Sequence, residues 1–439
     1  MARRYVIVGM GATGIAAAEA IRAADGAGEI VMVSDDPHGY YSRPGLAYYL
    51  TDELPEKALF PFSAADTARL GLRRVQDRAV ALDPAAHRLV LAVGDSLAYD
   101  RLLLATGSLA VPAEVPGAEL EGVVKLDDLE DARQILKQAR RARAAVVVGG
   151  GITALEIVEG LHARRVHTHY FIRRERYWSN VLDEDESRIV EERLRRQGVH
   201  LHYHTELAAI LGRGGRVAAV QTEAGERIDC DMVAVAIGVR PRLELATAAG
   251  LRIDRAVLVD EHLASSQADV FAAGDVAQVF DPQAGRAMLD TLWTSAVPQG
   301  RAAGQNMAGQ MTAHRKAVAC NVTRLAGLTT TIIGAVSQGR GGETPGIARG
   351  DSETWRQAPD ALAVQSGFEV NHLRLMVGER ALLGAIIMGD QAPSRPLQQL
   401  IAAQADVSSI RDQLLQPGAP LGALIAGFWT DWRERHATP

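Results

Sequence analysis

Residues 6–14 read Val6-Ile7-Val8-Gly9-Met10-Gly11-Ala12-Thr13-Gly14, and this stretch decides the fold of the chain around it. An apolar strand runs into a glycine-rich turn, a helix-like segment follows over residues 15–24, and a second apolar strand covers residues 30–34. The spacing Gly-x-Gly-x-x-Gly between a strand and a helix is typical of a dinucleotide-binding unit. The sequence therefore predicts a nucleotide-binding domain that begins at this turn.

Each glycine of this first fingerprint has a distinct predicted task. Gly9 allows the tight turn, Gly11 lets the backbone approach a pyrophosphate, and Gly14 lets the helix lie close to the strand. The helix N-terminus faces the phosphates with unpaired N–H groups. Two acids at the end of the second strand can accept hydrogen bonds from an adenosine ribose. The predicted contacts of this unit are Gly9, Gly11, Ala12, Thr13, Gly14, Asp35 and Asp36.

A second fingerprint follows at residues 146–156, which read Val146-Val147-Val148-Gly149-Gly150-Gly151-Ile152-Thr153-Ala154-Leu155-Glu156. Ala154, a tolerated small residue, replaces the third glycine. Two nucleotides held by one chain indicate hydride transfer between them. A later buried strand over 229–238 ends at Gly238 beside this second unit. The predicted contacts of the second nucleotide are Gly149, Gly151, Ile152, Thr153, Ala154, Glu156 and Gly238.

The strand after the second fingerprint, residues 166–172, ends in Arg173-Arg174-Glu175-Arg176 instead of an acid. A carboxylate there would favour the free 2′-hydroxyl of NADH, whereas Arg173 and Arg174 can pair with the 2′-phosphate of NADPH. A solvated basic loop, or a docking patch for an acidic partner, is the alternative. We favour NADPH over NADH as the second nucleotide.

The flavin end of a dinucleotide site is predicted from strand ends that carry small or polar residues. The strand over 99–104 runs into Ala105-Thr106-Gly107-Ser108, and the strand over 268–273 delivers Gly274-Asp275, whose carboxylate can bond a ribityl chain. Residues 292–300 lead into a helix over 301–309, whose start could stabilise negative charge on a reduced flavin ring. The predicted contacts are Arg43, Ala79, Val80, Ala105, Thr106, Gly107, Gly274, Asp275, Trp293 and Gln299.

Composition sets outer limits on the function. The 439 residues suggest two or three domains, and the net charge of −6 argues against a nucleic-acid binder. Cys230 and Cys320 are the two cysteines, so no disulfide framework is expected and a reducing cytoplasm fits. No apolar run is long enough to span a bilayer. The basic start of the chain resembles a signal peptide superficially, but the run behind it contains the first fingerprint, so we reject a signal.

Two other segments contain residues that could carry chemistry. Arg43, in a loop rich in Pro, Gly and Tyr, is a phosphate or adenine-side contact or a surface arginine, with neither favoured. His200, His202 and His204 alternate along 199–205 and would share one strand face. Three histidines can bind zinc, but apart from Glu206 no neighbouring ligand completes a site, so we predict solvent-facing histidines and no metal.

The C-terminal part changes character. Residues 321–336 and 368–388 are predicted as strands, 338–360 as a long loop, and 396–403 and 408–415 as helices. We expect a smaller α+β domain without a nucleotide fingerprint.

The ordered motifs GxGxxG, ATGS, GGGxxA, AIGVRP and AAGDVA resemble the pyridine nucleotide-disulfide oxidoreductase family over almost the whole chain. Tyr41-Ser42-Arg43-Pro44, Thr106-Gly107 and Leu-Trp-x-x-Ala-x-x-Gln-Gly are most similar to rubredoxin reductases and the flavin-binding part of assimilatory nitrite reductases. The resemblance implies an α/β fold with two Rossmann-like domains and a C-terminal α+β interface domain. It implies FAD on the first fingerprint and a nicotinamide cofactor on the second, with their rings stacked. The implied domains are 1–112 with 241–320 for FAD, 113–240 for NAD(P)H, and 321–439 for the interface, through which a homodimer can form.

The chain departs from this family at two places. Disulfide reductases of the family carry redox cysteines near the flavin, but residues 43–46 contain none, so a dithiol, persulfide or CoA-disulfide mechanism is unsupported. In many members the residue at Glu156 pairs with a lysine near the flavin N5. Residues 44–50 contain Tyr48 and Tyr49 and no lysine. Glu156 therefore stays a candidate that supports the flavin and nicotinamide site.

These observations predict an FAD-dependent NAD(P)H oxidoreductase without a redox-active disulfide. Hydride passes from nicotinamide C4 to flavin N5, and electrons pass to an external acceptor, for which a small iron–sulfur or rubredoxin-like protein is favoured. Arginine-rich residues 137–143 and 193–196 could dock an acidic protein, but exposed helix faces are the favoured interpretation. An NAD(P)H oxidase or quinone reductase is one alternative. A flavin-binding sensor or scaffold with incidental turnover is another.

Overall fold

Two parallel sheets form the frame of the protein. In each sheet, one strand leads through a glycine-rich turn into a helix. The computed structural model describes residues 2–282, 284–337, 361–368 and 371–436. The helices of this part are α1 (Ala12–Ala24), α2 (Gly45–Leu50), α3 (Ala64–Leu70), α4 (Leu129–Ala139), α5 (Ile152–Ala163), α6 (Glu184–Arg196), α7 (Glu244–Ala248), α8 (Trp293–Met307), α9 (Ser394–Ala402), α10 (Ser408–Leu414) and α11 (Leu421–His436). Short 3-10 turns lie at Glu56–Leu59 and Gly274–Val276.

The strands are short. They are β1 (Arg4–Val8), β2 (Glu29–Ser34), β3 (Leu72–Gln76), β4 (Ala79–Asp83), β5 (Arg88–Leu91), β6 (Ser96–Ala98), β7 (Arg101–Leu104), β8 (Ser108–Ala110), β9 (Val123–Val124), β10 (Ala144–Val148), β11 (His167–Ile172), β12 (His200–Tyr203), β13 (Leu207–Arg213), β14 (Arg216–Thr222), β15 (Arg227–Asp229), β16 (Met232–Val235), β17 (Val239–Pro241), β18 (Val257–Leu258), β19 (Val270–Ala272), β20 (Ala277–Asp281), β21 (Arg286–Met288), β22 (Cys320–Leu325), β23 (Leu328–Gly334), β24 (Leu362–Phe368), β25 (Asn371–Val377) and β26 (Leu382–Met388).

The first sheet has the order β19-β7-β1-β2-β3, with every neighbouring pair parallel. Val8 at the end of β1 is aligned with Val33 and Leu104, so the carboxyl ends of three strands meet at one edge. Gly9 has φ +114, a conformation that favours glycine, and its N–H donates to Val33 O at 2.8 Å. A Cβ on Gly14 would lie 2.1 Å from Gly9 O, which is why α1 can lie so close to β1.

The second sheet repeats this arrangement with the order β12-β11-β10-β16-β9, again parallel throughout. Gly149 has φ +145, and a Cβ there would lie 2.1 Å from Ala236 O. Helix α5 follows and is buried along most of its length, so its hydrophobic residues do not show a clean amphipathic stripe. Both glycine fingerprints therefore connect a parallel sheet to a helix, as the sequence predicts.

The C-terminal part is built on a five-stranded antiparallel sheet of order β22-β23-β26-β25-β24. Helices α9, α10 and α11 pack on it through a core that includes Leu397, Leu414 and Ile425. Smaller antiparallel sheets, β4-β5-β6 and β13-β14-β15, extend the two nucleotide-binding units. The predicted fold class, two Rossmann-like units with a C-terminal α+β unit, is confirmed.

Three predicted element boundaries are wrong in the first two units. The strand expected over 99–104 begins at Arg101, because residues 96–98 turn back and pair with β5. The strand expected over 229–238 is interrupted, with β15 and β16 separated at residues 230–231. The strand expected over 199–205 ends at Tyr203, and His204 has φ +49, so His204 does not share the strand face of His200 and His202.

Two further corrections concern helices. The helix expected over 301–309 begins eight residues earlier, at Trp293, although Pro298 lies inside it. Helix α11 was not predicted, although its buried residues Leu421, Ile425 and Phe428 have helical spacing. The long loop expected over 338–360 lies outside the described residues.

Candidate functional site: a cavity between the two fingerprints

A cavity of ≈ 950 Å³ lies at the carboxyl ends of β1, β2 and β7. Its wall continues along α2 and the first two turns of α5, the start of α8, and strand β22 of the C-terminal sheet. In open parallel sheets ligands bind at the carboxyl ends of the strands, where the loops to the helices diverge. The volume falls within the range of about 300–1,000 Å³ usual for small-molecule and cofactor sites.

The two helices that begin at the glycine fingerprints differ from α3, α4 and α6 at their N-termini. Helices α1 and α5 start without a capping side chain and without an acid in the first turn. In contrast, α3, α4 and α6 are each capped by a side chain, from Ser63, Asp128 and Asp183. The first N–H groups of α1 and α5 are therefore not satisfied by a capping side chain, and such a helix end attracts phosphate.

Most residues predicted from the first fingerprint and the strand ends line the cavity. They are Gly9, Gly11, Ala12, Thr13, Asp35, Asp36, Arg43, Ala79, Val80, Ala105, Thr106, Gly107, Asp275 and Trp293. From the second fingerprint, Ile152, Thr153 and Glu156 line the same cavity. The cavity thus joins two segments that lie more than a hundred residues apart in the sequence.

The remaining predicted residues lie away from the cavity wall. Gln299 is buried, and its Oε1 accepts a hydrogen bond of 2.8 Å from Gly274 N, so both residues position Asp275 instead of facing the cavity. Gly14 lies behind Gly9. Gly149 and Gly151 lie in the turn after β10, Ala154 is buried in α5, and Gly238 lies in the segment before β17. Arg173 and Arg174 are exposed just after β11.

The space beside Gly11 fits an elongated nucleotide. A Cβ built on Gly11 meets no atom within 4 Å, and the same holds for Gly107, whose φ is +69. Open space at these two turns, next to the uncapped start of α1, is what a pyrophosphate needs for close approach to backbone N–H groups. Asp35 and Asp36 follow β2 on the same wall, in position for a ribose. These residues fit FAD.

Arg43 and Asp275 have protein partners at the cavity wall. Arg43 Nη1 donates to Asp127 O at 2.6 Å, and the buried Asp127 carboxylate also lies 3.4 Å from Arg242 Nη2. Arg43 therefore connects the loop before α2 to the segment before α4. Ser108 Oγ donates to Asp275 Oδ2 at 2.7 Å, which orients this carboxylate at the cavity wall.

The α5 side of the cavity carries polar groups suited to a second ring. Thr153 Oγ1 is buried without a hydrogen-bond partner in the part of the chain that the structure describes. A buried hydroxyl without a partner is costly unless a ligand or water satisfies it. Together with Glu156 one turn further along α5, it fits the carboxamide end of a nicotinamide. Tyr48 of α2 also lines the cavity, and the Arg324 guanidinium lies 5.7 Å from its ring centroid.

Sequence reasoning missed Glu159 and strand β22. Glu159 follows Glu156 by three residues on α5, so helical spacing could have placed both on the cavity side. Its Oε1 accepts a hydrogen bond of 2.8 Å from Gly327 N, and burial raises the pKa of this carboxyl to about 7. Asn321, Val322, Thr323 and Arg324 of β22 also line the cavity. They carry no motif, so no local signal could have found them.

The two cysteines lie in different cores. Cys230 is buried beside β16, and burial raises the pKa of its thiol to about 12. Cys320 begins β22, packs against the core of the C-terminal sheet, and burial raises the pKa of its thiol as well. Both are free and neither lines the cavity. A low-pKa thiol facing a flavin is therefore not provided by either cysteine.

Comparison with known proteins agrees with this geometry. The profile of the family described as "Pyridine nucleotide-disulphide oxidoreductase" matches residues 3–300. The chain is 33% identical over 355 residues to the biphenyl dioxygenase system ferredoxin–NAD(+) reductase component of Paraburkholderia xenovorans, covering 79% of this chain and 84% of that protein. It is 32% identical over 275 residues to a rubredoxin–NAD(+) reductase of Pseudomonas putida, covering 62% and 71%.

Solved structures show the same fold. The covalent putidaredoxin reductase–putidaredoxin complex has a chain that superposes with a TM-score of 0.85 at 23% identity, covering 97% of this chain and 98% of that one. The NADH:rubredoxin oxidoreductase of Clostridium acetobutylicum superposes with a TM-score of 0.73 at 20% identity, covering 97% and 99%. Among the described residues, every helix is too short or too polar to cross a membrane. On the family match and the identity to reductases, the chain belongs to the pyridine nucleotide-disulphide oxidoreductase family and is an FAD-dependent NAD(P)H oxidoreductase.

Proposed function

We propose that this protein takes hydride from NAD(P)H and delivers electrons to a small iron–sulfur or rubredoxin-like protein. The proposal rests on one observation: the first fingerprint, residues of α5 and strand β22 line the same cavity. The names of its relatives supply the acceptor class, since ferredoxin and rubredoxin reductases are among them. When bound, FAD supplies the step from a two-electron donor to a one-electron acceptor.

The chain's own residues bind and orient the two cofactors in this proposal. The first turn of α1 holds the pyrophosphate of FAD, Asp35 and Asp36 hold its ribose, and Asp275 holds its ribityl chain. Thr153 and Glu156 orient the nicotinamide from the other wall. Such positioning of two reacting rings accounts for catalysis without a nucleophilic side chain. The remaining predicted contact residues of the two fingerprints and strand ends are proposed to bind the same two cofactors.

The mouth of the cavity supplies a docking surface for the acceptor. Tyr48, Trp293 and Val322 line the cavity and remain 42%, 49% and 63% exposed. Large apolar side chains from three separate segments that line one cavity and stay exposed are typical of a surface that a protein partner covers. We call these three residues the apolar rim.

We also propose the division into units. Residues 1–112 with 241–320 bind FAD, 113–240 bind NAD(P)H, and 321–439 close the cavity through β22. The two free cysteines, buried or half-buried, support a reducing location, and we propose the cytoplasm. A homodimer through the C-terminal unit stays a prediction.

The test separates acceptor docking from hydride transfer. Val322→Asp places a charge on the apolar rim and should raise the KM for an acceptor protein about tenfold or more, while stopped-flow reduction of the flavin by NAD(P)H is unchanged. Val93→Asp is the matched control, because Val93 is 83% exposed in the turn between β5 and β6 and is not part of the cavity wall. It should change neither rate.

Three outcomes would oppose the proposal. Turnover that is as fast with dioxygen or a quinone as with any ferredoxin or rubredoxin would favour an oxidase or quinone reductase. Slow flavin reduction accompanied by a change in oligomer size would favour a sensor. Equal effects of Val322→Asp and Val93→Asp would remove the apolar rim as the docking surface.

A further inference from the structure

Four histidines lie together on β12, the edge strand of the second parallel sheet, and on its neighbour β11. His167 and His169 come from β11, and His200 and His202 come from β12, with His169 aligned with His200 in the parallel register. We call these four residues the histidine cluster. Sequence spacing alone suggested His200, His202 and His204, but the pairing of the strands replaces His204 with two histidines from β11.

The rings of the cluster are in contact. His169 Nδ1 and His202 Nε2 lie 3.0 Å apart. The ring centroids are separated by 4.5 Å for His167 and His200, 5.0 Å for His167 and His169, 5.4 Å for His169 and His200, and 5.2 Å for His169 and His202. With Zn–N bonds of about 2.0 Å, two nitrogens on one tetrahedral zinc ion lie about 3.3 Å apart and their ring centroids about 5 Å apart. The nitrogen pair of His169 and His202 and the ring centroids already lie close to these spacings, whereas three nitrogens of the cluster do not lie within 4.8 Å of one another.

We propose that the histidine cluster is a binding site for a zinc-like divalent transition-metal ion. His169 and His202 provide the first two ligands, and His167 or His200 rotates to provide the third. His167 and His200 are exposed, so their rings can change rotamer without disturbing a core. In the neutral pair one ring donates its N–H to the other. A tautomeric shift moves that proton to the second nitrogen of the donating ring, so that both facing nitrogens have a lone pair for the metal.

One aromatic side chain bounds the cluster on its inner side. Phe171 packs edge-on against His202, with 5.3 Å between centroids, which fixes the inner side of the cluster.

The position of the cluster indicates what a bound metal would do. Strand β12 is the edge of its sheet and pairs only with β11 in the described part of the chain. A metal held by both strands would connect this edge strand to the sheet interior. None of the four histidines lines the cofactor cavity, so the site is separate from the redox site.

A second group of possible ligands must be distinguished from the cluster. In the described ranges, three ligand atoms come within 4.8 Å of one another at Asp183, Glu186 and His372. There the Arg374 guanidinium already donates two hydrogen bonds of 2.9 Å to the Glu186 carboxylate, from Nε and Nη2. This cation occupies the position that a metal would need, and the group is a buried connection between α6 and β25.

The experiment is calorimetric titration of Zn²⁺ into the FAD-loaded, tag-free protein at pH 7. We expect one equivalent to bind, and a rise in the unfolding temperature on zinc addition. Partners that only orient a metal ligand are worth about 10–100-fold in affinity, so losing a direct ligand in His169→Gln or His202→Gln should weaken binding at least about tenfold. Mg²⁺ should not bind, since it prefers oxygen ligands.

Matched controls make the result decisive. His204→Asn removes an exposed histidine just beyond β12, and asparagine tolerates its φ of +49, so zinc binding should be unchanged. Amide hydrogen exchange of residues 200–203 should slow on zinc addition in the wild type and not in His169→Gln. Absence of zinc binding at micromolar concentration would overturn the proposal. Zinc binding that survives His169→Gln and His202→Gln would place the metal elsewhere and overturn it equally.

Discussion

Substitutions of Gly11 and of Gly14 by larger residues should have different effects on the protein. A Cβ on Gly11 meets no protein atom within 4 Å, and its backbone (φ −77, ψ −171) is extended, so valine can adopt it. We expect Gly11→Val to fold, with a cost of up to about 1 kcal/mol for a poorer N-cap. Its side chain would project into the space that a pyrophosphate needs beside the uncapped start of α1.

The loss of cofactor binding can be given a size. At least one charge-assisted hydrogen bond from the helix start is lost, worth about 1.5–3 kcal/mol, so the Kd for FAD should rise about 10- to 100-fold or more. Gly14→Ala should act on folding instead, since its Cβ would lie 2.1 Å from Gly9 O and α1 would have to move away from β1. Overpacking of this kind costs about 1–3 kcal/mol or more.

The assay measures both properties on the same proteins. Flavin content per chain and FAD titration of the apoprotein give affinity, and urea unfolding of the apoproteins gives stability without the contribution of bound cofactor. Gly11→Val should be pale and stable, and Gly14→Ala should be destabilised as apoprotein. A Gly11→Val protein with full flavin content and wild-type affinity would refute the assignment of this turn. So would a Gly11→Val apoprotein that is less stable than Gly14→Ala.

Three further outcomes are expected. Replacing Arg173 and Arg174 by alanine should weaken NADPH binding about 10- to 100-fold and NADH binding little. Flavin reduction that is faster with NADH than with NADPH in the wild type would contradict the NADPH preference. The test matters because the relatives named above are NAD(+) reductases. Replacing Cys230 and Cys320 together by serine should leave flavin reduction and dye reduction within about tenfold of wild type, and a larger loss at unchanged flavin content would restore a thiol mechanism. Burial raises the pKa of Glu159 from 4.5 to about 7, so the folded protein holds a proton that the unfolded chain releases earlier. As the pH rises from about 5 to 7, the free energy of unfolding of the wild type should therefore fall relative to that of Glu159→Gln by up to about 3 kcal/mol, with no further fall above pH 7. If urea unfolding from pH 5 to 8 gives the same pH dependence for both proteins, this coupling is disproved.

Glu159 also illustrates how a site residue can stay hidden in a sequence. Its position three residues after Glu156 suggests a shared helix face, but a second acid on a helix is usually a solvated one. The hydrogen bond from Gly327 N comes from a turn 168 residues away in the sequence. The rise in the pKa of the carboxyl comes from its burial in the folded protein, which no local pattern signals.

The start of α8 was misplaced for a related reason. The helix was expected over residues 301–309, after residues 292–300, which contain Pro298. In the structure the helix packs closely on α1: a Cβ on Gly300 would lie 2.2 Å from Thr13 O and one on Gly304 2.3 Å from Ala17 O, so both glycines are needed for this contact. The helix begins at Trp293, which lines the cavity.

The sequence by itself determined that the chain has two dinucleotide fingerprints and that residues 43–46 contain no cysteine. Both conclusions rest on local chemistry, because a glycine turn between a strand and a helix has one geometry wherever it occurs, and a residue missing from a segment is missing in any fold. Only the tertiary structure decided that β22 lines the cavity, that neither Cys230 nor Cys320 does, and that four histidines meet on β11 and β12. The physical reason is that strand pairing and domain packing bring together residues whose separation in the sequence carries no periodic signal.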